Sequence, residues 1–99
     1  MSVGVVPEQY REAIRAALDA LVDGKHPEMM RWVTAYPARL VRQPDLIWSH
    51  PESEVIERNE GTAFGVVPLW TEDQAPSDLS VEFEIDRQGA VTISDVRVL

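Results

Sequence analysis

The chain contains no cysteine, which excludes disulfide stapling, thiolate catalysis and cysteine-ligated zinc together. Its two histidines, His26 and His50, lie far apart in the sequence and form no HxxxH or HExxH pair. A two-histidine metal or acid/base site therefore requires the fold to bring them together. The five glycines are isolated, so there is no glycine loop to cradle a phosphate. None of Ser2, Ser49, Ser53, Ser77, Ser80 or Ser94 sits in a GxSxG elbow. No apolar run approaches the roughly 20 residues of a bilayer span. The start MSVGVVPEQY lacks a basic stretch ahead of an apolar one. The expectation is a cytoplasmic protein that needs no cofactor and no metal, and whose enzymatic activity is doubtful.

Basic residues are also scarce, and their distribution matters more than their number. The chain has 99 residues, with 17 acids, 9 bases and a net charge of −8. Residues 1 to 51 carry six acids and six bases, whereas residues 52 to 99 carry eleven acids against Arg58, Arg87 and Arg97. The whole imbalance lies in the second half. Such a field repels nucleic acid and anionic membrane and accelerates encounter with a basic partner.

The length gives one domain, and the patterning divides it into a helical half over 1–42, a proline-containing connector over 43–53 and a sheet over 54–99. Pro7 suits the first turn of a helix, with Glu8 at its positive end. Tyr10, Ile14, Ala17, Leu18, Leu21 and Val22 recur at helical spacing as far as about Asp23, and Gly24 supplies the stop. A second helix is predicted from Pro27 through Met29, Met30, Trp32 and Val33 to about Tyr36, where Pro37 disfavours continuation. A short helical turn fits Pro37 to Arg42. Beyond the connector the period becomes two, predicting strands over Glu54–Arg58, Ala63–Trp70, Leu79–Asp86 and Val91–Val98. Tight turns fall at Asn59-Glu60-Gly61 and at Asp86-Arg87-Gln88-Gly89. The expected architecture is α+β, two N-terminal helices packed on one face of a four-stranded antiparallel meander.

On the third strand Leu79, Val81, Phe83 and Ile85 point to the helices, which places Ser80, Glu82, Glu84 and Asp86 on the side facing water. In the last strand Val91 and Ile93 are out of phase with Val96 and Val98, so a β-bulge is needed near Ser94 and Asp95. Glu82 and Glu84 lie about 7 Å apart on one face, a spacing compatible with paired-carboxylate chemistry. An open sheet face, however, does not shift carboxylate pKa values as catalysis requires. Glu72, Asp73 and Asp78 add charge in the 71–78 loop, which lacks the alternation and central glycine of a calcium site. Of the three tryptophans, Trp48 is the candidate exposed anchor, because it lies in the least periodic segment.

The string VVPLWTEDQAPSDLSVEFEID (66–86), followed after a short turn by ISDVRVL at the C-terminus, resembles the signature of a small family of uncharacterised bacterial proteins. In that family a VVPLWT strand, an acidic SDL turn, an alternating LxLE strand and a terminal IxDxxVL strand follow two helices. The match is clear over residues 63 to 99 and looser at Tyr36, Leu40 and Pro44. The resemblance carries no catalytic residues with it. In size and charge the small acidic α+β members resemble the immunity proteins that bacteria raise against their own secreted toxins.

The residues and the resemblance together point to a binding protein, monomeric or weakly homodimeric, that neutralises a basic protein partner such as a toxin. Its expected surface comprises Glu82, Glu84, Asp86, Glu72, Asp73, Asp78 and Trp48. The alternative is a cone-shaped α+β enzyme or ligand-binding domain with a pocket between helices and sheet, lined by Trp32, Tyr36, Trp70 and His50.

Overall fold

A computed structural model describes residues 6–25, 28 and 39–98. The helix α1, Glu8–Val22, begins directly after Pro7, whose carbonyl accepts from the Tyr10 N–H at 3.1 Å. It closes with a Schellman motif, in which Gly24 at φ 78° donates to the Leu21 carbonyl and Lys25 to the Ala20 carbonyl. Ile14, Leu18 and Leu21 are buried, and Tyr10, Ala17 and Val22 pack partly buried against the same core. Each of the three buried side chains contributes on the order of 2 kcal/mol through the apolar surface it removes from water. The predicted second helix, from Pro27 to Tyr36, falls outside the described residues except for Glu28, and α1 is the one α-helix among those described.

The strands β1 (Glu54–Glu57), β2 (Ala63–Pro68), β3 (Leu79–Ile85) and β4 (Val91–Val98) form one antiparallel sheet in sequential order, the expected meander. Its inner face carries Ala63, Val67, Val81, Phe83, Ile85, Ile93 and Val96, all buried in the core that α1 helps to close. The register confirms the bulge: Glu82 pairs with Asp95 and Phe83 with Ile93, leaving Ser94 as the extra residue. That single residue restores the inward phase, so that Val96 faces Val81. Gly65 lies opposite Phe83 and makes room for it, since a Cβ there would fall 2.3 Å from the ring.

The connector departs from its expected character as a loop or extended link. Ahead of it Leu40, expected in a short helical turn over Pro37 to Arg42, instead forms an isolated bridge with Thr71, and within the connector Asp45–Trp48 is a 3-10 helix. The buried Gln43 side chain runs along the backbone that leaves β2: its Nε2 donates to the Val41 and Trp70 carbonyls at 2.6 and 3.0 Å, and its Oε1 accepts from the Trp70 N–H at 2.7 Å. A buried amide satisfied in this way stabilises without leaving a desolvated group. From the other side Arg15 donates to the Gln43 carbonyl and pairs with Asp45 at 2.6 Å, and Arg42 pairs with Asp23 at 2.7 Å.

Trp48 is therefore not the exposed anchor expected of an aperiodic segment. The 3-10 turn carries Ile47 and Trp48 into the core at 0% and 7% exposure, and the Val6 N–H donates to the Trp48 carbonyl at 2.8 Å. The Arg15 and Arg11 guanidinium carbons stand 5.0 and 6.0 Å from the indole centroid, in cation–π positions.

Two urea-denaturation experiments check these packing assignments. Gly65→Ala should lose about 2 kcal/mol of stability through overpacking against Phe83, and Phe83→Leu in the same chain should recover part of that loss. Gln43→Leu should lose about 2 kcal/mol, because the Trp70 N–H is left buried without an acceptor.

Candidate binding face of the sheet

The outer face of the sheet is built by the residues that alternate with the core set. In register they form cross-strand rows: Pro68, Ser80 and Arg97; then Glu54, Val66, Glu82 and Asp95; then Ile56, Phe64, Glu84 and Thr92. The middle strand β2 is thus apolar on both faces, with Phe64, Val66 and Pro68 pointing away from the core. Together with Ser80, Glu82, Arg97 and the connector residue Glu52 they line an open groove of about 440 Å³.

The acidic row on β3 is less open than alternation alone implies. Ser80 is 1% exposed, set between Pro68 and Arg97, and its Oγ is the one buried side-chain polar atom among the described residues without a hydrogen-bond partner. Glu82 is held by Arg97, its side chain 17% exposed against 56% for the arginine. Glu84 receives a two-pronged bond from Arg58, at 2.8 and 3.2 Å. The Arg58 hydrogen bond, aided by its charge, holds the Glu84 carboxyl below its ordinary value of 4.5, and Arg58 is raised in return. Asp86 is exposed, but its Oδ1 accepts from the Gln88 and Ala90 N–H groups at 2.9 Å each and organises the β3–β4 turn.

Among the described residues, several carboxylates around this row make no ion pair: Glu54 and Asp95 on the outer face, Glu52 at the groove, and the exposed Glu72, Asp73 and Asp78 in the 71–78 loop. The loop is held by Ser77, whose hydroxyl donates to the Leu69 carbonyl at 2.7 Å, and by the Glu72 N–H, which donates to the Arg39 carbonyl at 2.9 Å. Of the alternative pocket residues, Trp70 is buried at 8% and the His50 ring meets it edge-on at 5.6 Å, while His50 Nδ1 accepts from the Glu52 N–H at 3.1 Å. Trp32 and Tyr36 lie outside the described residues. Among the described residues no group of three or more His, Asp or Glu is placed to hold a metal ion, and no helix is long and apolar enough to cross a membrane.

A family model described as a domain of unknown function, DUF7668, matches residues 3–99. The chain belongs to the DUF7668 family. No curated protein and no solved structure matches it. The match of this DUF7668 chain spans the sheet, α1 and the connector alike.

Phe64, Val66 and Pro68 escaped the sequence reading of the site, although one signal was available. A strand whose two faces are both apolar beside a strand with one polar face marks an outer surface that is not simply solvated.

The Glu84–Arg58 pair gives a pH expectation. A carboxylate lowered on folding adds stability that is present above its ordinary value and lost as pH falls through the lowered one. Urea midpoints for the wild type and Arg58→Met should therefore differ at pH 7 and converge as the pH falls well below 4.5. A gap unchanged between pH 7 and pH 2.5 would sink the assignment.

Proposed function

We propose that this DUF7668 chain is a small acidic binding protein of the immunity type, which neutralises a basic protein partner such as a bacterial toxin by docking it on the outer sheet face and the adjoining 71–78 loop. The observation that carries this reading is an apolar groove with carboxylates around it that pair with no cation among the described residues. Glu54 and Asp95 flank Val66 and Glu82 in one cross-strand row, and Glu52 stands at the groove. An apolar centre with a charged border is the arrangement that gives a protein interface its affinity and its steering. The surface differs from the row expected from alternation: Glu82, Glu84 and Asp86 are engaged within the chain, so the steering charge comes from Glu54, Asp95, Glu52 and the loop acids Glu72, Asp73 and Asp78. A monomeric or weakly homodimeric cytoplasmic protein completes the reading. The same negative field disfavours nucleic acid and anionic membrane as partners.

The pocket alternative draws support from a single contact, the His50 ring on the edge of Trp70. With Nδ1 of His50 committed to a backbone N–H, that contact supports packing more directly than chemistry.

The test uses a basic toxin domain encoded beside the gene for this chain, with binding followed by surface plasmon resonance. Association should be fast at low salt and slow steeply as salt rises. Glu54→Lys combined with Asp95→Lys should cut the association rate about tenfold while changing dissociation little. Binding that ignores both salt and the double reversal rules out this face, and no binding to any basic product of the neighbouring genes overturns the immunity reading.

A further inference from the structure

Ser80 is the point at which the outer face is incomplete. It sits on a central strand, 1% exposed, and its hydroxyl lines the groove without a partner among the described residues. A buried hydroxyl left in that state is a standing cost to the fold, and native proteins keep few of them. Next to it, Glu82 uses only Oε2, on Arg97; among the described residues its Oε1 has no partner.

Arg97 is opposite Ser80 in register and ends on Glu82 two residues along the same face. Its side chain therefore spans the stretch that holds both groups. More than half of that side chain is already in solvent, so turning it outward breaks one exposed ion pair, which is worth little. Doing so opens a carboxylate, a hydroxyl and an apolar wall to an incoming group. The two carboxylates of the lining, Glu52 and Glu82, outnumber its one guanidinium, so the groove favours a cation.

We infer that this groove is a subsite for an arginine side chain of the basic partner, whose alkyl stem lies on Phe64, Val66 and Pro68 and whose guanidinium takes the place of Arg97 on Glu82 while donating to Ser80 Oγ. Arginine suits the site because its planar fork can bond a carboxylate and a neighbouring hydroxyl at once, and because its stem covers apolar surface well. Arg97 acts as an internal stand-in, which keeps Glu82 paired while the groove is empty. The inference rests on the outer face being the docking surface and names what that surface grips.

The experiment titrates the full chain with butylguanidinium, a soluble stand-in for an arginine side chain, and follows amide and side-chain NMR shifts. Saturable millimolar binding is expected, with the largest shifts at Phe64, Val66, Ser80 and Glu82. Ser80→Ala should weaken it about five-fold without lowering the melting temperature, since the lost hydroxyl had no partner. Arg97→Gln, which removes the competing guanidinium, should strengthen it. The neutral analogue butylurea should bind far more weakly. Equal binding of butylurea, shifts that map to α1 or the inner face, or weaker binding in Arg97→Gln would each overturn the subsite. If butylguanidinium fails while a basic partner still binds in a way that Glu54→Lys/Asp95→Lys impairs, the docking face survives and the arginine subsite does not. If butylguanidinium binds as expected and no basic partner does, the subsite stands and the immunity reading falls.

Discussion

The side-chain amide of Gln43 is the constraint from which the rest of the arrangement follows. By accepting from the Trp70 N–H and donating to the Trp70 and Val41 carbonyls, it pairs the connector with the exit of β2 as a backbone strand would. Residues 27 apart in sequence are joined where neither half has a regular element. Once the connector lies there, Leu40 can bridge Thr71, the 3-10 turn can deliver Ile47 and Trp48 to the core, and Ser53 can bond the Ile47 carbonyl at 2.6 Å. The same placement brings His50 onto Trp70 and Glu52 to the groove. A buried amide can hold this position because all three of its bonds go to backbone groups, which leaves its own polar atoms satisfied.

The sheet then resolves into two faces with different physics. On the inner side the fit is steric: Phe83 occupies the space that Gly65 leaves, and the bulge at Ser94 returns Val96 to the core. On the outer side the fit is electrostatic and unfinished. Among the described residues Arg58 and Arg97 quench Glu84 and Glu82, Glu54, Asp95 and Glu52 make no ion pair, and the buried Ser80 hydroxyl has nothing to bond. The inner face thus holds the geometry that the outer one presents.

Much of the fold was legible in the residue pattern. The helical spacing of Ile14, Leu18 and Leu21, the alternation of Leu79 to Ile85, the turn at Asp86 to Gly89 and the phase break in the last strand all report local geometry, and each has its counterpart in the structure. The site was legible only in outline. Alternation placed Glu82 and Glu84 on the outer face, but it could not show that Arg97 and Arg58 would meet them, because those contacts depend on strand register and on side-chain reach across it. Trp48 was misplaced for a related reason: a segment without periodicity can still be buried when a distant element docks on it, as Arg15 and the Val6 N–H do here.

The sequence by itself determined α1, the four strands and their meander, the bulge and the concentration of negative charge in the second half, since propensity, period and composition act over a few residues at a time. The tertiary structure decided which carboxylates are quenched, where the connector runs, that Trp48 is core and that Ser80 is buried. Those outcomes are set by contacts between residues far apart in the chain, whose distances no local pattern encodes.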